Sequence, residues 1–178
     1  VHPYQPSGLW KEKSGQVYPQ GKGESLYRRS LYTFWKRTSP PPSMMILDAA
    51  KRDVCVARRQ ETSTPLQALL LLNDPQYVEA SRALAERAMS EGGTVPREWI
   101  RHAFQLLATR NPTREEMQVL ISLHGHQLDA FEMNPDDARA LLSIGDSTHD
   151  DGLDPVGLAA MTTVCSTILN SDAAIMRR

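Results

Sequence analysis

The residues best suited to binding chemistry lie in one basic, aromatic segment near the start of the chain. Residues 27–37 read YRRSLYTFWKR, so arginine and lysine are interleaved with tyrosine, phenylalanine and tryptophan. Guanidinium and ammonium groups attract phosphate, sulfate or carboxylate, and aromatic faces stack on bases or sugar rings. We therefore select as candidate binding residues Arg28, Arg29, Trp35, Lys36, Arg37, Arg58 and Arg59.

The same residues also have a structural interpretation, which we favour. Arginines next to tryptophan often join buried ion-pair networks, and Asp48, Asp53 and Asp74 are carboxylates that could complete one. In that arrangement the guanidinium groups hold the molecule together instead of contacting a ligand. Ligand contact stays the alternative, because the sequence does not decide between the two.

Charge is divided unevenly along the 178 residues, although the net charge is only −1. Residues 1–60 carry eleven Lys or Arg and four Asp or Glu, whereas residues 61–178 carry nine and seventeen. The basic N-terminal third therefore either packs on the acidic remainder or meets an anionic partner. We expect the first arrangement, in which the basic third folds back against an acidic helical bundle.

The sequence contains no local motif for phosphate binding, metal binding or nucleophilic catalysis. Five residues instead of four separate Gly15 from Gly21, and glycine follows Lys22 where a phosphate-binding loop needs Ser or Thr. His124 and His126 are two residues apart and would point away from each other on a helix, so a core or boundary role is predicted for His124. The Gly-x-Ser-x-Gly turn of serine hydrolases does not occur.

The acidic loop near residue 150 and the two cysteines also define no site. The aspartates between residues 146 and 154 lack the spacing of a calcium loop, so we expect them to solvate the loop and cap a helix. Cys55 and Cys165 form no C-x-x-C pattern, and the sequence does not say whether they pair. Cys165 falls in an apolar helical pattern and is expected to be a small buried side chain. We assign no cofactor and no metal to this chain.

The composition predicts an all-α fold. Aromatic residues make up only 6% of the chain, and the apolar residues are largely Leu, Ala, Met and Ile. Prolines and glycines in residues 1–25 predict an extended arm, followed by a helical domain over residues 26–178. That domain is predicted to be an irregular bundle of about six helices. They cover residues 66–72, 75–91 and 96–109, and then begin near residues 114, 135 and 155.

Some helix faces carry specific expectations. The segment of residues 66–72 has leucines on all sides of the predicted helix, which predicts that this helix is buried. In the next helix we expect Tyr77, Ser81, Leu84 and Ala88 to face inward, and Glu79, Arg82 and Glu86 to pair outside. A helix is also predicted from residue 25 to the prolines at 40–42, because apolar residues recur there at helical spacing. Residues 156–169 are too short to cross a membrane.

The chain closely resembles the planctomycete-specific domain one (PSD-one) family, a domain family of unknown function. The strings that carry the resemblance are LYRRSLYTFWKRT at residues 26–38, PPPS at 40–43, Asp48-Ala49, Arg58-Arg59, TPLQAL at 64–69 and LNDP at 72–75. The resemblance extends to the region of Trp10, to LATRNPTREE at residues 107–116 and to residues 169–172. Ala173 departs from the family, which usually has an aromatic residue after the acidic one.

The resemblance implies the context in which the chain works. Family members typically end large exported proteins of the cell envelope or periplasm that also carry a planctomycete c-type cytochrome domain. Any c-type haem would then lie elsewhere in the full-length protein. The chain begins at Val1 and resembles the C-terminal part of the family's domain, so we expect a piece of a longer protein. The resemblance carries over no catalytic residue.

Three functional hypotheses result. The leading one is a non-catalytic structural or docking module, whose partners are the upstream domains of the same protein, including a cytochrome c-type domain. The first alternative is a binding module for an anionic polymer, either sulfated polysaccharide or nucleic acid, through the basic aromatic third. The second alternative is part of a hydrolase site shared with upstream regions, in which Asp74 and His102 would join the arginines.

Overall fold

The computed structural model of the protein describes residues 1–175, except for the side chains of residues 12–14. Helix accounts for 58% of the chain, and no strand occurs in the part that is described, which confirms the all-α prediction. The helices are α1 (Leu9–Ser14), α2 (Pro42–Ile46), α3 (Pro65–Asn73), α4 (Pro75–Glu91), α5 (Pro96–Ala108), α6 (Arg114–Met133), α7 (Pro135–Leu142), α8 (Pro155–Leu169) and α9 (Asp172–Ile175). Six of them have seven or more residues, as predicted.

The chain forms two compact units. Unit 1 comprises Val1–Leu70 and unit 2 comprises Leu71–Arg178. Within the described residues, no helix combines the length and apolar character that a bilayer crossing requires. The division into an extended arm, residues 1–25, and a helical domain, residues 26–178, stays a prediction.

Helix α8 lies at the centre of unit 2, where it packs against α4, α5, α6 and α7. Eight of its residues are buried: Leu158, Ala159, Ala160, Met161, Thr162, Val164, Cys165 and Ile168. The buried position of Cys165 confirms its predicted role, and burial raises the pKa of its thiol. Both cysteines are free, and Cys55 is exposed.

The threonines of α8 are compatible with this burial because they satisfy their hydroxyl groups locally. Thr162 Oγ1 donates to the carbonyl of Leu158 at 2.8 Å, and Thr163 Oγ1 donates to the carbonyl of Ala159 at 3.1 Å. A hydroxyl bonded within its own helix does not carry the free-energy cost of an unpaired polar group in the core. The helix can therefore be enclosed by its neighbours despite its polar residues.

The starts of the long helices in unit 2 follow the predicted capping residues. Asp74 accepts from the Gln76 amide at the start of α4, and Thr113 forms a capping box with Glu116 at the start of α6. Asp154 accepts from the Gly157 amide at 2.7 Å and begins α8. Proline occupies the first turn of α4, α5, α7 and α8, where its missing N–H costs nothing. The predicted helix starts are therefore confirmed. They could be predicted from sequence because a capping bond joins residues only two or three positions apart.

The inner face of α4 agrees with the prediction only in part. Ser81 and Ala88 are buried as expected, but Val78, Ala85 and the charged pair Glu79 and Arg82 are buried with them. The two charged residues do pair, but in the interior of unit 2 and not on its outside. The sequence predicted both side chains on the outside because burying a charge costs free energy. Only partners from other parts of the fold offset that cost, and a local sequence pattern does not show them.

The helix predicted from residue 25 is wrong. The structure has two short 3₁₀ turns there, Gly23–Ser25 and Ser30–Tyr32, followed by extended chain. The Phe34 amide donates to the carbonyl of Val1 at 2.8 Å, and Thr33 has extended dihedral angles. Bonds to a distant segment thus replace the local helical bonds, in a stretch whose Tyr, Thr and Phe residues favour helix weakly.

Unit 1 contains a cluster of four aromatic rings around the buried Trp10. Trp10, which lies on α1, packs edge-on against Tyr18 with the ring centroids 4.9 Å apart, and His2 stacks on Phe34 at 5.2 Å. The Tyr18 hydroxyl donates to the carbonyl of Pro3 at 2.6 Å, and burial raises the pKa of this phenol. The segment predicted as an extended arm therefore contains a short helix and supplies three of the four rings.

Candidate functional site

Arg28 and Arg29 lie between the two 3₁₀ turns of unit 1 and are exposed. Neither side chain forms a hydrogen bond or ion pair with the residues that the structure describes. The apolar side chains beside them are exposed as well, by 50% for Tyr27, 78% for Leu31 and 60% for Tyr32. This part of the candidate site therefore presents cations and aromatic or aliphatic groups to solvent together.

Lys36 has partners inside unit 1. Its Nζ lies 4.3 Å from the centroid of the Trp10 ring and 2.8 Å from Gln16 Oε1. A cation over the face of an indole is attracted by the negative face of the ring. Lys36 thus covers the aromatic cluster, and its main role is to hold the arm to the segment that follows.

Trp35 is half-buried, and the Arg52 guanidinium lies 4.8 Å from the centroid of its ring. Its indole Nε1 is buried and has no acceptor among the described residues. Arg37 lies 3.8 Å from Asp53, and both side chains are largely exposed. Such a pair contributes little to stability because water screens it.

The remaining two arginines of the candidate set behave differently from each other. Arg59 donates from Nε to the carbonyl of Asp48 at 3.1 Å and from a terminal nitrogen to the carbonyl of Leu47 at 3.3 Å. Arg58 is exposed and, in the described part of the chain, its side chain has no hydrogen-bond or ion-pair partner. The set therefore divides into residues that bind within unit 1 and residues that do not, namely Arg28, Arg29 and Arg58.

The expected buried ion-pair network is wrong for unit 1. Among the described residues, Arg37 and Asp53 form the one side-chain ion pair of the predicted set, and it is exposed. The Asp48 carboxylate instead accepts from the amide and hydroxyl of Thr62, at 2.7 and 2.8 Å. Both hydrogen bonds lower the pKa of Asp48, and the one from the Thr62 amide has the larger effect. Asp74 caps α4 and is not available to the arginines as a buried partner.

Gln67 connects two of the sequence strings that carry the family resemblance, Asp48-Ala49 and TPLQAL at residues 64–69. Its amide nitrogen donates to the carbonyl of Ile46 at 2.9 Å, to Asp48 Oδ2 at 3.2 Å and to Thr62 Oγ1 at 3.0 Å. Its side-chain oxygen accepts from the Thr64 amide at 2.9 Å, which caps the start of α3. The Asp48, Thr62 and Gln67 side chains thus fix the long loop of residues 47–64 by its ends, so these strings have a structural role.

The leucines of α3 are not in the core, contrary to the prediction. Gln67 and Leu71 face inward, whereas Leu66 and Leu69 are exposed by 56% and 57%. Residues 50–64 of the preceding loop are all exposed and include Val54 and Val56. A leucine-rich helix was expected inside because burial removes apolar surface from water. As a collective name for the exposed apolar residues and unpartnered arginines of unit 1 we use the basic apolar surface, which comprises Tyr27, Leu31, Tyr32, Leu66 and Leu69 together with Arg28, Arg29 and Arg58.

Unit 2 has an open depression of about 490 Å³ between α5 and the start of α6. Arg97 and Arg101 of α5 line it, with Thr113, Arg114 and Met117 at the start of α6 and Asn111 and Pro112 of the intervening loop. We call this depression the arginine hollow. It was missed in the sequence because unit 2 is acidic overall, which hides a local excess of arginine. The signal was present as Arg97 and Arg101, four residues apart on one helix, followed by Arg114 at a helix start.

Asp74, His102 and His124, which the sequence singled out, are all engaged in unit 2. His102 Nε2 lies 3.4 Å from Glu91 Oε2, and Asp74 accepts from an amide of α4. His124 is buried as predicted, and its ring centroid lies 6.5 Å from that of Trp99. Its Nε2 has no partner among the described residues, and burial lowers its pKa.

The aspartates near residue 150 shape their own loop, as predicted. Asp150 Oδ1 accepts from the Gly152 amide at 2.9 Å, and Asp154 caps α8. Among the side chains that the structure describes, no group of three or more His, Cys, Asp or Glu is placed to hold a metal ion.

Comparison with known families confirms the resemblance. The model of the PSD1 family, described as "Protein of unknown function (DUF1553)", matches residues 1–124, which include all of unit 1 and unit 2 as far as the middle of α6. Residues 169–172, where a resemblance was also expected, lie outside the matched region. No curated protein and no solved structure matches the chain. Since the match covers more than half of the 178 residues, the chain belongs to the PSD1 family of proteins of unknown function.

Proposed function

We propose that this chain is a non-catalytic docking module of a longer exported protein in the cell envelope or periplasm. Its basic apolar surface binds an acidic, partly apolar face of an upstream domain of the same protein, such as a c-type cytochrome domain. The observation that carries the proposal is that unit 1 exposes both large apolar residues and arginines that have no hydrogen-bond or ion-pair partner among the described residues. Any haem belongs to the upstream domain.

The apolar part of the surface argues for a protein partner. Leu31 is 78% exposed, and Leu66 and Leu69 are exposed on a regular helix. Scattered exposed leucines are common in soluble proteins, whereas exposed apolar residues that lie together often mark an interaction site. Tyr27, Leu31 and Tyr32 lie within six residues of each other in the chain. Tyrosine and arginine are also enriched in the centres of protein interfaces.

The charge of the surface defines the chemistry of the partner. Arg28, Arg29 and Arg58 have no carboxylate partner among the described residues, and residues 1–60 have seven more basic than acidic residues. An acidic partner face would complement these charges and speed association. The hydrolase alternative has less support, because Asp74 caps a helix and His102 lies against Glu91.

Amine cross-linking of the full-length protein tests docking directly, because all five lysines of this chain lie between residues 11 and 51. We expect cross-links from the exposed Lys22 and Lys51 to the upstream domain. Substitution of Leu66→Ser with Leu69→Ser should abolish them without unfolding unit 1, since both side chains are exposed. Val119→Ser, at an exposed site in unit 2, is the matched control and should leave them unchanged. Cross-links that never form, or that survive the leucine substitutions, would refute docking through this surface.

A second function, binding of an anionic polymer, is favoured by one specific observation. Arg28 and Arg29 are adjacent, exposed and without partners in the part of the chain that the structure describes, and exposed tyrosines lie on both sides of them. Heparin serves as the probe for sulfated polysaccharide. Binding should weaken by about tenfold or more between about 50 and 200 mM salt, and Arg28→Gln with Arg29→Gln should reduce it at low salt. Salt-independent binding, or binding unaffected by the two substitutions, would exclude this function for the surface.

A further inference from the structure

We propose that the arginine hollow of unit 2 binds the phosphate or sulfate ester group of a larger ligand. This site is separate from the basic apolar surface of unit 1 and does not depend on the docking function. Its elements are Arg97 and Arg101 on α5, Arg114 at the start of α6, and the loop that connects the two helices.

The pairing of arginines within unit 2 singles out this hollow. The described part of unit 2 has seven arginines and no lysine. Four arginines have carboxylate partners, which are Glu79 and Glu86 for Arg82, Glu91 for Arg87, Glu116 for Arg110, and Asp136 for Arg139. Arg97, Arg101 and Arg114 have no such partner among the described residues, and all three line the hollow. Three unpaired cations in one depression of an acidic unit indicate a site for an anion.

Of the three carboxylates closest in sequence to the hollow, Glu98 and Glu116 are engaged elsewhere, whereas Glu115 is exposed and forms no ion pair with the described residues. Glu116 accepts from Arg110 at 2.7 and 2.8 Å and from the Thr113 amide at 2.7 Å. Glu98 accepts from the Thr94 amide at 3.1 Å. These bonds hold the two acidic side chains in place and leave the three arginines for an external anion.

The start of α6 adds donors to the arginines. Thr113 Oγ1 accepts from the Glu116 amide, so the capping box satisfies the third residue of the helix. The amides of the first two residues have no acceptor within a helix by its geometry, and they point toward its N-terminal end. Together with the positive end of the helix dipole, they complement an oxyanion bound beside Arg114.

Three guanidinium groups fit a tetrahedral ester group better than a carboxylate. A phosphate or sulfate ester presents three acceptor oxygens, whereas a carboxylate presents two and is satisfied by one bidentate arginine. The volume of about 490 Å³ lies within the range of about 300–1,000 Å³ typical of small-molecule sites and exceeds the needs of a bare ion. Pro112 and Met117 give the hollow an apolar lining for the carbon skeleton to which the ester group is attached.

The test uses the full chain with three sugar probes: glucose 6-phosphate, glucose 6-sulfate and glucuronate. Amide chemical shifts and calorimetry should show that at least one ester binds with a dissociation constant of about 1 mM or tighter. The affected amides should be those of residues 111–117. Whichever ester binds more tightly identifies the source of the group, and glucuronate should bind about tenfold more weakly than that ester.

Paired variants decide whether the hollow is responsible. Arg97→Gln with Arg101→Gln should weaken ester binding by about tenfold or more. Arg87→Gln with Arg139→Gln removes the same charge from exposed sites outside the hollow and should change it less than about twofold. Circular dichroism verifies that both variants fold. No ester binding at about 1 mM, equal losses in the two variants, or glucuronate binding as tightly as the esters would overturn the proposal.

Discussion

Arg82 connects a helix to a loop in the interior of unit 2. Its side chain donates four hydrogen bonds: to the carbonyls of Leu142, Ile144 and Ser147 and to the Ser147 hydroxyl. Glu79 Oε1 lies 3.7 Å from the guanidinium and accepts from the amides of Asp146 and Ser147. Gly145, at φ +104°, passes so close to the Glu79 carboxylate that a Cβ would lie 2.5 Å from its carbon. The two charges are therefore tolerated inside because nearly every polar atom around them has a partner.

Arg82→Met should lower the free energy of unfolding by about 3–5 kcal/mol, because it leaves the buried Glu79 carboxylate without its opposite charge and several loop carbonyls without a donor. Urea denaturation followed by circular dichroism measures the change. Arg87→Met, on the same helix but at an exposed pair with Glu91, is the control and should cost less than about 1 kcal/mol. Equal losses in the two variants would contradict a structural role for the buried pair.

His124 makes the stability of unit 2 sensitive to mild acid. Burial lowers its pKa from the ordinary value of 6.5, so between the two values the unfolded chain binds more protons than the folded one. Stability contributed by the neutral ring is therefore present at higher pH and is lost as the pH falls below about 6.5.

Replacing the ring with leucine tests this dependence. His124→Leu should be at least as stable as the parent at pH 7, because it removes a buried nitrogen without a partner, and it should lose less stability between about pH 7 and 5. Thermal unfolding across this range is the measurement, with His126→Leu, at an exposed site on the same helix, as the control. The prediction fails if parent and His124→Leu have the same pH profile.

At the scale of elements, the start of α6 is held by three residues of the family string at residues 107–116. Glu116 accepts hydrogen bonds from Arg110 and from the Thr113 amide. Both lower the pKa of Glu116, from 4.5 to about 2, and the bond from Arg110 has the larger effect. A carboxyl group with a depressed pKa stabilises the folded state above its unfolded value. That contribution is present above about pH 4.5 and is lost as the pH falls toward about 2.

Glu116→Gln should reduce the free energy of unfolding at pH 7 by about 1 kcal/mol, through the weakened cap and the lost ion pair. The difference from the parent should shrink as the pH falls from about 4.5 toward about 2, because the parent's carboxylate is then protonated too. Chemical denaturation at several pH values is the measurement. Glu115→Gln, one residue away and exposed, should stay within about 0.5 kcal/mol of the parent at every pH. A constant difference across the acid range would argue against this account.

The helices that sequence predicted well are those with local boundary signals. Asp74, Thr113 and Asp154 each determine a helix start through bonds to the next few residues, so periodicity and caps suffice. The segment near Phe34 was predicted wrongly because its amide bonds to Val1, more than thirty residues away. Burial of Arg82 and exposure of Leu69 likewise depend on tertiary neighbours, which a local pattern does not contain.

The sequence predicted which residue types form the candidate site, but not which of these residues have partners within the fold. The sequence identified the basic aromatic segment, yet Lys36 lies over Trp10 and Arg59 binds backbone carbonyls, whereas Arg28 and Arg29 have no partner among the described residues. The arginine hollow was missed because Arg97 and Arg114 come from two helices that only packing brings to one depression.

At the scale of the whole molecule, the cations of the two units have different environments. All five lysines and six arginines lie in residues 1–60, against four acidic residues. In unit 2, the described arginines are either paired with carboxylates or located at the hollow. Unit 1 thus has an excess of positive charge, whereas unit 2 is acidic, and unit 1 also has the larger number of exposed large apolar side chains. This combination is the physical basis of the docking proposal.

Hydroxyl-radical footprinting, which oxidises exposed side chains, tests that proposal most directly when the isolated chain is compared with the full-length protein. The account predicts that Leu31, Tyr32 and Leu69 react in the isolated chain and are protected in the full-length protein. Val119 and Met133, exposed by 65% and 80% on unit 2, should react in both. Equal oxidation of Leu31, Tyr32 and Leu69 in the two samples would contradict docking through unit 1.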